Sequence, residues 1–234
     1  MDLLRRVHEV NENIVTVLYN GRPMDVREIE QLSRAVLVAW MPADAGSIGV
    51  ANLLTGKAVP SAKLAMSFPH HAGQCPIHYD MYPTGHPSKG MDQRFSSRYV
   101  DLPNTPVHPF GYGLSYTAFS YSEVTASAKT MTADETVTVT VTLTNTGDYD
   151  GEEIVQLYLR DHTASRVSRP YRELKDFRRV ALKKGESCEV SFEITEDMLR
   201  FYDYDLHYVS EPGRFTAYVG GCSDTQNGCE FELV

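Results

Sequence analysis

The chain has 234 residues, of which 42% are hydrophobic and 23% charged, a composition that indicates a globular protein and excludes disordered and collagen-like classes. Its net charge is -9, and the acidic excess lies entirely in residues 121–234, with 21 Asp and Glu against 12 Lys and Arg. Such a surface disfavours nucleic acid and anionic membranes as partners. No apolar run approaches the roughly 18 residues of a membrane span, and the opening MDLLRR lacks the apolar core of a signal peptide, so the sequence indicates no compartment.

Residues 1–56 alternate helical and strand patterns. Apolar side chains fall at helical spacing between Leu3 and Val10, and residues 14–19 and 35–40 are continuous apolar runs typical of strands covered on both faces. This alternation predicts an α/β fold with a partial, mainly parallel sheet and flanking helices. Because so few strands are visible and Met1 falls at the start of a helix, we expect residues 1–107 to be the C-terminal part of a longer domain.

Residues 69–107 form a proline-rich segment that we expect to be a long ordered loop region. Such loops are either functional or interfacial, or they cover a sheet edge. The segment also holds four histidines whose spacing matches no common metal site, so they are interpreted as polar loop residues: His70, His71, His78 and His86.

Residues 108–122 are predicted to be a structured joint, because they combine aromatics, proline and two glycines around Tyr112. We expect its aromatic side chains to be largely buried against one or both cores, so that the flanking domains do not swing freely. These side chains are Phe110, Tyr112, Tyr116 and Phe119.

Residues 123–234 change to a period of two. Residues 136–144 alternate valine or leucine with threonine, and residues 188–194 alternate apolar with polar side chains. With further strands expected at 154–160, 177–182, 214–219 and 229–234, the pattern predicts an all-β immunoglobulin-like or fibronectin III-like sandwich.

The four cysteines show no C-x-x-C pair and no zinc-ligand spacing, and neither metal nor cofactor is expected. Cys222 and Cys229 flank a short loop, but strand alternation places them on opposite faces. Unless a bulge intervenes, reduced thiols are favoured over a disulfide, and the question stays open.

The order of motifs resembles glycoside hydrolase family 3 over essentially the whole chain, matching its C-terminal end. In the α/β part the motifs are NGRP at 20–23, AWMP at 39–42, GSIG at 46–49, PSAKL at 60–64, MSFP at 66–69 and PFGYGLSYT at 109–117. In the sandwich they are NTG at 145–147, LKDF at 174–177, KGE at 184–186 and PG at 212–213. QCPIHY at 74–79, TGHP at 84–87 and SRY at 97–99 further resemble the bacterial β-glucosidases of this family. Ala43 and Ala62 depart from its usual pattern.

The resemblance implies hydrolysis of O-glycosyl bonds of β-glucosides or oligosaccharides by the complete enzyme. It places the nucleophilic aspartate in an N-terminal barrel and the acid/base glutamate upstream of Met1, so this chain has no catalytic residue and is predicted to be inactive alone. A retaining glycosidase needs two carboxyl groups about 5–5.5 Å apart, and four loop aspartates show no such pairing: Asp25, Asp44, Asp80 and Asp92. Trp40 is interpreted as a core or interface residue.

Arg94 and Arg98 are the candidates for sugar contact, with pairing to Asp92 or Asp101 as the alternative. The expected partner is a barrel domain or a barrel-bearing chain, with a homo-oligomer also open. The chain then has a structural, cleft-supporting role. The alternatives are a noncatalytic carbohydrate-binding or interaction module, or a subunit that needs a partner chain.

Overall fold

The computed structural model describes residues 1–87, 95–163 and 167–234. Within these ranges its first part contains three α-helices and two strands: α1 (Asp2–Val10), β1 (Val15–Leu18), α2 (Arg27–Gln31), β2 (Ala35–Val38) and α3 (Gly46–Leu54). Strands β1 and β2 pair in parallel, with Val15 opposite Ala35 and Leu18 opposite Val38. None of the helices in the described ranges is long and apolar enough to cross a membrane.

The expectation of a mainly parallel sheet is not confirmed. The described residues of the first part form a two-stranded sheet, and the chain as a whole is mostly strand with few helices. Burial on both strand faces is also wrong, since Val15 is exposed. Leu18, Val36 and Val38 do pack against a small core of three buried side chains, Val26, Ile29 and Phe68. A continuous apolar run indicates that a strand favours burial on both faces, but other elements of the fold must cover those faces.

Trp40 belongs to this small core. Its ring meets Phe68 edge-on, with ring centroids 5.8 Å apart, and its backbone has a φ of 53°, in the left-handed region. The Trp40 carbonyl accepts a hydrogen bond from the Asn20 N–H, so the ends of β1 and β2 remain joined beyond the strands themselves.

The second part is a β-sandwich. Its strands are β3 (Phe119–Tyr121), β4 (Thr125–Ala126), β5 (Thr130–Met131), β6 (Thr136–Asn145), β7 (Gly151–Asp161), β8 (Glu173–Leu182), β9 (Ser187–Thr195), β12 (Gly213–Gly220) and β13 (Gly228–Leu233). One sheet has the order β5-β13-β12-β7-β8, and in the other β6 pairs with β3, β4 and β9. Helix α4 (Glu196–Leu199) precedes a small hairpin of β10 (Phe201–Tyr202) and β11 (Tyr208–Val209).

The two sheets enclose the main core. Val137, Val139, Val141 and Leu143 on β6 are buried, and β9 places Phe192 directly opposite Val139. Burying each such side chain contributes about 1.5–3 kcal/mol. The fibronectin-like sandwich predicted from the alternating pattern is confirmed, and all four cysteines are free thiols. The boundaries 1–107, 108–122 and 123–234 stay a prediction.

The joint is held by hydrogen bonds on both sides. The Leu64 N–H donates to the Tyr112 carbonyl and the Gly111 N–H donates to the Leu64 carbonyl, each at 2.8 Å. On the sandwich side, Gln156 Nε2 donates to the carbonyls of Gly111 at 3.3 Å and Gly221 at 2.6 Å. The joint is thus tied to both parts of the chain.

The expected burial of the joint aromatics is wrong for one of the four. Phe110, Tyr112 and Phe119 are half-buried, but Tyr116 is 47% exposed. The Tyr116 hydroxyl donates to the Leu53 carbonyl at 2.8 Å, near the end of α3. A tyrosine needs a partner for its hydroxyl, and here that partner lies at the surface instead of in a core.

Candidate functional site

A cavity of about 740 Å³ lies between the proline-rich segment and the sandwich. We call it the segment–sandwich cavity. One wall comes from residues 76–87 and 97–109, including Tyr79, Tyr82 and Arg98, and the other from Tyr171, Arg172, Ser223 and Asp224. Its volume falls within the ~300–1,000 Å³ range typical of small-molecule sites.

Gln74 holds the proline-rich segment in place. It lies in a short 3-10 helix, Ala72–Gln74, which begins after His71, whose Nδ1 accepts a hydrogen bond from the Gly73 N–H at 3.0 Å. Gln74 is buried, its Oε1 accepts from the His70 N–H, and its Nε2 donates to the Pro103 carbonyl at 2.8 Å. This clamp joins positions 29 residues apart. Gln74 opens the QCPIHY motif at 74–79, but the sequence alone assigned it no role.

The segment is also hydrogen-bonded to the sandwich. The Tyr171 N–H donates to the Met81 carbonyl at 3.0 Å, and the Leu174 N–H donates to the Tyr79 hydroxyl at 3.3 Å. The Tyr79 ring stacks on Phe110 with centroids 4.5 Å apart. Burial raises the pKa of Tyr79, so this phenol stays protonated at neutral pH.

Arg172 supports the sandwich wall. Its Nη1 donates to the carbonyls of Ser223 and Thr225, each at 2.7 Å, and its guanidinium lies 4.2 Å from the Tyr218 ring centroid. Burial lowers the pKa of Arg172 from its ordinary value, but an arginine remains charged. These contacts fix the loop that carries Asp224.

Of the two predicted sugar-contacting residues, Arg94 lies outside the described residues. Arg98 does line the cavity, and its Nη1 donates to the carbonyls of Tyr99 at 3.0 Å and Val100 at 3.4 Å. The structure therefore brings Arg98 to a possible ligand site. The role of both arginines in substrate binding stays a prediction.

The loop aspartates differ in their surroundings. The Asp25 carboxylate is paired with Arg27 at 2.7 Å, and this hydrogen-bonded guanidinium lowers the pKa of Asp25. An acid/base catalyst needs a pKa near the operating pH, so the Asp25 environment is the opposite of that of a general acid. Asp92 lies outside the described residues.

In the part of the chain that the structure describes, one group of side chains has metal-ligand spacing. Asp203, Asp205 and His207 lie on the exposed turn between β10 and β11, with their ligand atoms within 4.8 Å of one another. The Asp203 carboxylate already accepts hydrogen bonds from the N–H groups of Asp205 and His207. These two hydrogen bonds account for the position of Asp203 in the hairpin turn.

Two family models match the chain. One, described as the glycosyl hydrolase family 3 C-terminal domain, matches residues 1–116, and the other, described as a fibronectin type III-like domain, matches residues 153–223.

Several known proteins are similar over nearly the whole chain. A periplasmic beta-glucosidase of Salmonella typhimurium is 41% identical over 234 residues, which are 100% of this chain and 30% of that protein. A beta-xylosidase of Formosa agariphila is 39% identical over 222 residues, 95% of this chain and 30% of that protein. The crystal structure of a beta-glucosidase from Listeria innocua in complex with glucose has a TM-score of 0.93 at 40% identity, covering 99% of this chain and 32% of that one.

The chain thus spans about 30% of the length of the curated relatives that it matches. The resemblance inferred from motif order, including NGRP at 20–23 and PFGYGLSYT at 109–117, is confirmed by whole-chain identities of about 40%. The chain belongs to glycoside hydrolase family 3, of which it carries the C-terminal domain and the fibronectin type III-like domain.

Proposed function

We propose that this chain serves as the C-terminal part of an enzyme that hydrolyses the O-glycosyl bonds of β-glucosides, and that the catalytic carboxylates lie outside it. One observation carries the proposal: the whole chain superposes with a TM-score of 0.93 on a beta-glucosidase of which it spans 32%. The role of these residues is then to support the cleft and to fix the arrangement of the domains.

The surface of the first part supports a covering domain or chain. Exposed apolar side chains recur on α1, β1 and α3, among them Leu3, Val10, Val15 and Ile48. Large apolar side chains that are exposed together often mark an interaction surface. A barrel-bearing domain or partner chain is the occupant that the family relationship suggests.

The test is a chimera. This chain replaces the matching C-terminal 30% of the Salmonella typhimurium beta-glucosidase. We expect the chimera to hydrolyse an aryl β-glucoside and the isolated chain to show no enzymatic turnover, because two carboxyl groups are needed at the scissile bond. Turnover by the isolated chain that is lost in Asp44→Asn or Asp80→Asn would overturn the proposal.

A mixing experiment with two separate chains tests the partner-chain alternative. If mixing the isolated chain with the remaining part of the Salmonella protein restores hydrolysis, the catalytic unit can assemble from two chains. A homo-oligomer is a separate prediction, and sedimentation of the chain and of the chimera tests it.

A further inference from the structure

We propose that the segment–sandwich cavity binds a neutral saccharide of one or two sugar rings. This inference goes beyond the proposed function, because it concerns binding by this chain itself and uses no residue outside it. It rests on the shape of the cavity, on its aromatic side chains and on its polar groups.

The cavity offers aromatic surface in an open position. Tyr82 lines it and is 61% exposed, and Tyr99 and Tyr171 line it and are also exposed. A pyranose ring presents apolar C–H groups on its faces and hydroxyls around its edge. Tyrosine matches both, because its ring is apolar and its hydroxyl can hydrogen-bond.

The polar groups favour an uncharged ligand. Arg98 and Asp224 contribute opposite charges to the cavity. The other cation, Arg172, already donates to two carbonyls and stacks on Tyr218. Sugar hydroxyls can donate to the Asp224 carboxylate, whereas a phosphate or carboxylate ligand would be repelled by it.

The carboxylate of Asp224 can accept hydrogen bonds from a ligand. Within the described ranges, no hydrogen bond from another residue engages its carboxylate, although its backbone carbonyl accepts from Gln226 Nε2 at 2.9 Å. The neighbouring carbonyls of Ser223 and Thr225 are held by Arg172. The Asp224 backbone is thus held in place, and its carboxylate can accept hydrogen bonds from ligand hydroxyls.

The walls are preorganised by contacts that a ligand does not need to form. Asn104 Nδ2 donates to the Ser97 carbonyl at 2.8 Å, and Asn104 Oδ1 accepts from the Tyr99 N–H at 3.1 Å. The Tyr171 N–H and the Met81 carbonyl close the other side. Since a preformed site spends less free energy on ordering, a millimolar saccharide affinity is within its reach.

The experiment is isothermal titration of the 234-residue chain with glucose and with cellobiose, with inorganic phosphate as the charged probe. We expect saturable binding of at least one sugar and none of phosphate. Tyr82→Ala and Asp224→Asn are expected to weaken sugar binding at least about tenfold, the effect of ~1.4 kcal/mol. Both side chains are at the cavity surface, so the variants should retain the wild-type unfolding transition.

Matched controls come from the hairpin turn after β10. Tyr204→Ala and Asp205→Asn remove the same groups from exposed positions there and should leave sugar binding unchanged. The proposal fails if neither sugar binds saturably, if phosphate displaces the sugar, or if the cavity variants bind sugar as well as the hairpin variants do.

Discussion

Gly111 shows how one residue determines the path of the joint. Its φ is +80°, and a Cβ at this position would lie 2.2 Å from Gln156 Oε1. The same Gln156 side chain donates to the Gly111 carbonyl. A larger residue would therefore suffer backbone strain and would also displace the glutamine that ties the joint to the sandwich.

We expect Gly111→Ala to destabilise the chain more than Gly185→Ala. Gly185 has a similar φ of +75°, but no atom lies within 4 Å of a Cβ placed there. The Gly185→Ala variant therefore reports the cost of backbone strain alone. That strain costs roughly 1–2 kcal/mol, and Gly111→Ala adds the clash with Gln156. Urea unfolding of both variants tests the difference, and equal losses would contradict it.

His162 makes the stability of the sandwich depend on pH. Its Nε2 lies 2.8 Å from Thr216 Oγ1, and its pKa is lowered first by burial and then by the charges of Arg160 and Arg214. The unfolded chain therefore takes up this proton at a higher pH than the folded chain does. The free energy of unfolding should fall as the pH drops below about 6.5, the ordinary pKa of histidine. Below the pKa of His162 in the folded chain, this residue should cause no further fall.

The measurement for His162 is the free energy of unfolding of wild type and His162→Gln from about pH 8 to pH 5. The variant should lose less stability over this range, because it cannot bind the proton. The paired carboxylates of Asp25 and Asp148, whose pKa values are lowered by Arg27 and Lys184, titrate at lower pH in both proteins. Parallel pH curves would show that His162 has no such role.

At the scale of elements, the alternating strands were well predicted and their ends less so. Strand β9 was expected at 188–194 and extends over Ser187–Thr195. Strand β8 was expected from residue 177 but begins at Glu173. The first residues of β8 pair with β7 beyond a shift in register between Leu157 and Tyr158. Such a bulge depends on how the two strands pair, so the sequence of β8 alone does not predict it.

A pair of phenylalanines tests the core of the sandwich. Phe192 on β9 is fully buried, whereas Phe177 on β8 is 58% exposed. We expect Phe192→Ala to cost about 3–5 kcal/mol through lost burial and a residual cavity. Phe177→Ala should cost far less.

Guanidinium unfolding of the two variants measures this contrast. The interpretation of Phe192 as part of the core between the two sheets would be wrong if both substitutions had the same effect.

At the scale of the whole molecule, a buried ion pair links the two parts. Lys63 Nζ lies 2.8 Å from Glu153 Oε1 and donates to the Gly113 carbonyl at 3.0 Å. The side chains are 14% and 8% exposed. Lys63 belongs to the first part, Gly113 to the joint and Glu153 to β7, so a single cation connects all three.

Lys63→Met should destabilise the chain by about 3–5 kcal/mol, because it leaves the Glu153 carboxylate buried without its cation. The double variant Lys63→Met with Glu153→Leu should recover much of the loss, since no unpaired charge remains. A double-mutant cycle in urea measures this coupling. Additive losses would mean that the pair does not link the two parts.

Local patterns and motif order determined the sandwich strands, the joint and the family relationship, because side-chain periodicity and family motifs are properties of short stretches of chain. The tertiary structure decided what those stretches contact. It left Val15 and Tyr116 exposed, and it gathered Tyr82, Arg98 and Asp224 around one cavity. Tyr82 and Arg98 belong to the proline-rich segment and Asp224 to the sandwich, and only the packing of the segment on the sandwich brings them together.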